Sequence, residues 1–268
     1  MADVQPFKGI RYSSQLARDL GRVLCPPYDI ITPEQQGELL RRSPYNSVRL
    51  ELGVDLPTDS PQDNRYTRAA ALLEEWLGQD VLLPEKETAF YLLREEFSHM
   101  GRTRTRCSLL ARVRLEEFSR RVVLPHEETS QGPKRDRLAL LTATNANLSP
   151  IMGIYRDPSG ATGDLLARVM SEAPLAHTDY GDTHIQLWAV TGKGAIGTIR
   201  DALRDAPIYL ADGHHRYETA LHYRGLQQSS GGVLDGDAGH NFVMMSLIEI
   251  KDPGLLVLPY HRVVRGLS

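Results

Sequence analysis

The sequence predicts an α+β fold of mixed sheets with flanking helices. Three observations carry that reading. Strand-like runs sit at hairpin spacing in the first half of the chain. Helix-like and strand-like runs alternate in the second half, but unevenly, which argues against a regular parallel wind. The 268 residues are 41% hydrophobic and 24% charged, an ordinary globular balance that can bury a core without disulfides or metals. The chain divides into an α+β region over residues 1–120 and an αβ region over 121–268, or runs on as one continuous domain.

The elements follow in order. "VLCPPYDIITPEQ" places Pro26, Pro27 and Pro33 close together, so the first 33 residues read as extended or looped. Thr32 is a helix cap, with Pro33 at the first helical position and Gln35 behind it. "NSVRLELG" (46–53) alternates as a half-buried strand does. "DNRYTRAAALLEEWLGQ" (63–79) puts Tyr66, Ala69, Ala70, Leu73, Trp76 and Leu77 on one helical face, with Gly78 at the end. "TAFYLLREEFS" (88–98) and "TRCSLLARVRLEEF" (105–118) flank a turn at Gly101 and predict a hairpin.

Residues 122–155 read as a loop, a helix from about Lys134, a second loop and a strand. "GDLLARVMSEA", "AIGTIRDALRD" and "HRYETALHYRGLQ" are helical, while "IQLWAV" and "PIYLA" are strands between them. "QQSSGGVLDGDAG" (227–239) has the composition of a mobile loop. "NFVMMSLIEI" is a buried strand and "LLVLPYHRVV" (255–264) a further strand.

Charge and cysteine content narrow the function classes. Lys plus Arg number 31 against 34 Asp plus Glu, a net charge of −3, which disfavours a broad nucleic-acid surface. Two cysteines, Cys25 and Cys107, lack the spacing of a disulfide framework or a zinc ribbon and fit a reducing compartment. The N-terminus has no apolar stretch of signal-peptide type, and no run has the ~18 apolar residues of a membrane span. The expected location is the cytoplasm.

Three constellations carry chemistry. In "YLADGHHRYETALHYRG" (209–225) a strand meets a helix across Asp212 and Gly213. The helix start offers free N–H groups and the positive end of its dipole, so the junction reads as an anion site. Gly213 permits close approach or positive φ, Arg216 can grip a phosphate with two bonds, and His214 or His215 can donate or shuttle a proton. The plain alternative is an Asp212 cap with solvated histidines. "HEETSQGPKRDR" gathers His126, Glu127, Glu128, Thr129, Lys134, Arg135, Asp136 and Arg137, a set suited to a metal or a phosphate with a base beside it. It lacks the HExxH spacing of zinc proteases, and it equally suits a polar loop before a capped helix. In "CPPYDII" a stiff corner precedes Asp29, which fixes a carboxylate or only a turn.

A fourth motif imitates a dinucleotide fingerprint. Gly192, Gly194 and Gly197 stand in G-x-G-x-x-G spacing between a strand and a helix, with Asp212 ending the next strand. The helix is short, and no second nucleotide half follows. A P-loop is excluded, because G-x-x-x-x-G-K-[ST] does not occur.

With these residues in view, the chain resembles an uncharacterised bacterial and archaeal family catalogued as domain of unknown function 1015. The blocks that carry the resemblance are "FKGIRY", "CPPYDII", "NSVRLELG", "HEET…PKRDRL", "LSPIMGIY", "HIQLWAV", "YLADGHHRYETALHY", "NFVMMSLIEI" and "LLVLPYHRVV". Members of that family continue past the last block, which implies a C-terminally truncated chain. The Asp-Gly-His-His-Arg block is also similar to the phosphate-contacting motif of ParB-like and sulfiredoxin-like proteins, a superfamily that includes a free-serine kinase. That resemblance implies a ParB/sulfiredoxin-like core and assigns Gly213, His214, His215 and Arg216 to nucleotide phosphates. Sulfiredoxin chemistry needs a cysteine in the block, and none is present.

The expectation is a nucleotide-binding phosphotransferase that moves a phosphoryl group from a nucleoside di- or triphosphate to a small hydroxyl compound. Asp212, Gly213, His214 and Arg216, with Lys134 and Arg137, would hold the nucleotide. Asp29, His126, Glu127 and His215 would be the catalytic groups, with Glu127 or Asp29 as base or Mg²⁺ ligand. The alternatives are a non-catalytic nucleotide-dependent switch and a metal-dependent phosphohydrolase using His126, Glu127, His214 and His215. The expected partner is a small molecule, with no membrane and no nucleic acid.

Overall fold

The computed structural model describes residues 1–16, 19–229, 235–259, 261 and 263–266. Its strands are β1 (Val4–Gln5), β2 (Ile10–Tyr12), β3 (Leu82–Pro84), β4 (Phe90–His99), β5 (Arg102–Arg114), β6 (Val123–Leu124), β7 (Ile151–Tyr155), β8 (Ala176–Tyr180), β9 (Thr183–Val190), β10 (Ile208–Asp212) and β11 (Phe242–Glu249). Its helices are α1 (Leu20–Val23), α2 (Pro33–Arg42), α3 (Val48–Glu51), α4 (Arg65–Gly78), α5 (Gln131–Thr144), α6 (Ala161–Val169), α7 (Lys193–Arg204) and α8 (His214–Ser229). The mixed α and β architecture is the one the sequence predicts.

Nine strands form one mixed sheet in the order β6-β10-β7-β11-β5-β4-β9-β8, with β1 paired to β5, and β2 and β3 form a separate ribbon. Strands from residues 1–120 and from 121–268 therefore share one sheet. The long β4–β5 hairpin turns at Met100 and Gly101, both at positive φ, as a two-residue hairpin connection requires. Along β5, Leu109, Ala111 and Val113 alternate into the core. There they meet Ile151, Met245 and Leu247, capped by Leu165 of α6, Ile199 of α7, and Tyr217 and Ala220 of α8. A smaller cluster centres on Trp76 of α4 with Leu50, Leu73 and Val81.

Local signals place several elements as expected. Thr32 and Gln35 form a reciprocal capping box ahead of Pro33, and Asn64 does the same with Thr67 for α4. Other segments depart from expectation. Residues 46–53 hold the short helix α3, not a strand. Asn46 is fully buried, donates to the Arg22 and Leu24 carbonyls, and accepts the Val48 N–H, so its side chain turns the backbone before a ladder can form. Helix α5 begins at Gln131, three residues ahead of Lys134, because Pro133 lies in the first turn, where its missing N–H costs nothing.

Leu255–Leu258 form no strand, and Val257 is 87% exposed. Tyr260 and Arg262 of the same stretch lie outside the described residues. In the segment read as a mobile loop, α8 extends to Ser229, and residues 230–234 lie outside the described residues. The glycine motif at 192–197 is not a dinucleotide turn. Gly194 and Gly197 lie inside α7, where an added Cβ would meet open space, so neither serves close helix-to-strand packing. Strands β9 and β10, which flank α7, are not neighbours either, since β7, β11, β5 and β4 lie between them.

Candidate functional site

The site begins with a parallel pair at the sheet edge. β6 and β10 run parallel, Ile208 opposite Val123 and Tyr209 opposite Leu124. Their carboxyl ends therefore emerge side by side, the usual position for ligand sites in sheets of this kind. β6 leads into the His126–Ser130 loop, and β10 leads through Asp212 and Gly213 into α8. The two segments are distant in sequence and adjacent in space.

Gly213 makes the turn at φ +88°, and the first bond of α8 runs from the Tyr217 N–H to the Gly213 carbonyl. The N–H groups of His214, His215 and Arg216 thus precede the helical ladder. The start of α8 is clamped by Tyr217, which is fully buried. Its hydroxyl donates to the Glu116 carbonyl (2.8 Å) and accepts the Glu116 N–H (2.9 Å), and its ring stacks on Phe118.

His214 lies at the centre, 1% exposed. Its Nε2 accepts the backbone N–H of His126 at 3.2 Å, so the ring proton sits on Nδ1, which faces Glu127 Oε1 at 3.2 Å. Burial, and then the neighbouring His126 and His215, lower its pKa below the ordinary histidine value, against the pull of Glu127 and Asp212. The imidazole is therefore held neutral. His126 stands edge-on to it, ring centroids 4.4 Å apart, and donates from Nδ1 to the Leu210 carbonyl at 2.7 Å, which leaves its own Nε2 free of that bond. His126 and Glu127 are exposed, so the trio opens to solvent on one side.

Ligand atoms of His126, Glu127 and His214 lie within 4.8 Å of one another, a spacing that a divalent metal can bridge. The His126 N–H fixes the tautomer against it, because Nδ1 of His214 must lose its proton before it can ligate beside Glu127.

Around this centre the polar groups brace each other. His215 Nε2 accepts the Ser130 N–H at 3.1 Å, and Glu218 joins Thr129 (2.7 Å) to Lys134 (2.8 Å). Burial would raise the Glu218 carboxyl, but the Lys134 and Thr129 bonds hold it below the usual range. Glu218 lies four residues after His214, a helical spacing that could have flagged it. Arg216, which the sequence offers as a phosphate grip, is engaged by the protein itself. It donates to the Pro150 carbonyl (2.6 Å), Ser149 (3.3 Å) and Asp212 (2.6 Å), tying α8 to the entry of β7. Arg137 is buried, paired to Glu51 (3.0 Å) and Asp136 (2.6 Å), with its guanidinium 3.8 Å over the Tyr28 ring.

The 126–137 segment and the 212–216 junction thus form one cluster, as the sequence led us to expect, and "CPPYDII" closes a third side through Tyr28. Burial raises the Tyr28 hydroxyl pKa, and the charges of Arg137, Asp29, Arg216 and Asp136 all act on it. Asp29 is exposed on the Tyr28–Ile30 turn, outside the histidine cluster. Glu51 had no signal in sequence, since its segment reads there as a strand.

Residues 4–268 match the family described as Protein of unknown function (DUF1015), and the chain belongs to it. No curated protein and no solved structure matches the chain. No helix among the described residues is long and apolar enough to cross a membrane.

Proposed function

We propose that the protein is a cytoplasmic phosphotransferase that binds a nucleotide by its phosphates at the start of α8 and passes a phosphoryl group to a small hydroxyl compound. One observation carries the reading. The parallel exit of β6 and β10 sets His126, Glu127 and Ser130 directly against His214 and His215, at a glycine turn that opens a helix N-terminus. The ParB-like and sulfiredoxin-like resemblance of the Asp-Gly-His-His-Arg block points to the same groups, and the free thiols Cys25 and Cys107 fit a reducing compartment.

The phosphates lie on the N–H groups of His214, His215 and Arg216, with Lys134 and the His215 ring as donors nearby. Arg216 aligns the turn through Asp212 and Pro150, and Arg137 stiffens the wall behind it. Glu127, exposed and with Oε1 3.2 Å from Nδ1 of the neutral His214, takes the proton of the acceptor hydroxyl. The acceptor oxygen then bonds to the terminal phosphorus, and the bond from that phosphorus to the bridging oxygen breaks, leaving the shortened nucleotide. Glu127 would be the carboxylate beside a magnesium ion on the phosphates, which would neutralise their charge, whereas Asp29 lies outside the histidine cluster.

The metal-ligand spacing of His126, Glu127 and His214 favours a second reading, metal-dependent phosphate ester hydrolysis. Product analysis separates the two. The protein is incubated with ATP, ADP or CTP, Mg²⁺ and a pool of hydroxyl metabolites. A phosphorylated acceptor supports transfer, free phosphate without an acceptor product supports hydrolysis, and binding without turnover marks a nucleotide-dependent switch.

A further inference from the structure

The parallel pair β7 and β11 makes a second crevice. Ile151–Tyr155 runs beside Met245–Glu249, and β10 runs antiparallel to β7. The carboxyl ends of β7 and β11 therefore emerge at the end of the sheet opposite the histidine cluster. Between them, β5 and α6 lies a cavity of about 400 Å³. Its floor is apolar. Tyr155, Leu166 and Leu247 are buried there, beside the sulfur atoms of Cys107 and Met170, which lie 3.8 Å apart. Ser159, Gly160 and Lys251 stand exposed at its mouth.

Three carboxylates line this space, those of Asp157, Glu249 and Asp252. The backbone holds each in place. Asp157 accepts the Ser159, Gly160 and Thr162 N–H groups, Glu249 the Asp157 N–H, and Asp252 the Cys107 and Gly254 N–H groups. Among the described residues none of the three is ion-paired, and Arg94 and Arg106 on the adjoining strands are already taken by Glu96 and Glu95. Lys251 is the one cation among the lining residues, so negative charge is in excess. Burial pushes the Tyr155 hydroxyl up to about 12 against its bond to Thr162, and the charges of all three carboxylates add to the rise. Burial and the Asp252 charge push the Cys107 thiol up to about 11, so it stays a neutral part of the floor.

Size and charge narrow the ligand. The volume is well above the about 150 Å³ that admits benzene and falls in the range of small-molecule pockets. An anion is repelled. A metal ion is a poor fit, because among the described residues only His126, Glu127 and His214 gather ligand atoms closely enough to hold one. A protonated amine on an apolar body suits both halves of the cavity, the body on the floor and the ammonium against the carboxylates.

We propose that this cavity binds a small organic cation, a protonated amine carried on an aromatic or branched aliphatic body. Glu249 and Asp252 take the ammonium, Asp157 fixes the α6 turn beside it, and the floor around Cys107 and Met170 takes the body. The assignment is independent of the phosphotransfer reading.

The test uses phenethylamine, phenethyl alcohol and hydrocinnamate, which share an apolar body and differ in charge. Ligand-observed NMR titration of the wild-type chain at neutral pH should show phenethylamine bound about tenfold more tightly than the alcohol, the worth of one charge-assisted hydrogen bond. Hydrocinnamate should bind most weakly. In the double variant Glu249→Gln with Asp252→Asn the preference for the amine should fall towards one, with alcohol binding unchanged. A salt series on the wild type gives the same answer if that variant folds poorly. From about 0.01 M to about 1 M NaCl the amine should weaken severalfold and the alcohol should not. Similar affinity for amine and alcohol in the wild type, no amine binding, or an amine preference that survives the double variant or high salt overturns the proposal.

Discussion

Gly213→Ala strikes the junction where every part of the site meets. The residue sits at φ +88°, a conformation that costs a side-chain-bearing residue about 1–2 kcal/mol. An added Cβ would also lie 3.0–3.1 Å from the Arg216 guanidinium. That group is the end of a flexible side chain, but it is pinned at 2.6 Å to both the Pro150 carbonyl and Asp212. Moving it weakens a charged hydrogen bond worth about 1.5–3 kcal/mol, most of it at Pro150 because Asp212 is largely exposed. The sum is about 3 kcal/mol, or roughly 6–12 °C in melting temperature for a chain of this size. Gly225→Ala is the internal control. It lies inside α8 with open space where the Cβ would go, so it should stabilise by about 0.5–1 kcal/mol. Urea unfolding of both variants is the assay. A Gly213→Ala variant within about 0.5 kcal/mol of wild type would refute the braced turn.

Arg137→Ala leaves Glu51 buried and uncompensated and should cost about 3–5 kcal/mol in urea unfolding, more than the paired replacement Arg137→Met with Glu51→Gln. The lowered pKa of His214 sets a pH dependence. Below about pH 6.5 the unfolded chain takes a proton that folded His214 refuses, so stability should fall as pH drops from about 7 to 5, and the slope should flatten in His214→Gln. Burial alone would raise the Asp157 carboxyl, but bonds from Ser159 and Thr162 hold it at about 2. Its stabilisation is present above about pH 4 and lost as pH falls through the folded value, and Asp157→Asn should cost about 2 kcal/mol at neutral pH, read by thermal melts.

Legibility in the sequence followed the range of the signals. Thr32, Asn64 and Gly101 act within a few residues, and the elements they start or turn are where the sequence puts them. Residues 46–53 failed because the deciding group, the buried Asn46 amide, bonds back to Arg22 and Leu24, beyond any local pattern. In the site, the density of histidine and acid at 126–128 and 212–216 was visible, and one shared cluster explains both. The bracing was not. Arg216 looks free in sequence because its partners at Ser149 and Pro150 lie more than sixty residues away. Glu51 met Arg137 only through the packing of α3 against α4 and of α4 against α5.

The central claim is that the start of α8 holds nucleotide phosphates, and calorimetric titration with ATP, ADP and CTP, with and without Mg²⁺, tests it most directly. His215→Ala is the informative variant, because among the described residues its ring bonds only the Ser130 N–H and hydroxyl at the rim. The account predicts saturable binding to the wild type, and about tenfold weaker binding in His215→Ala, the loss of roughly 1.4 kcal/mol from one phosphate bond. The melting temperature should stay within about 2 °C. No binding of any nucleotide to the wild type, or equal affinity in the variant, would contradict it.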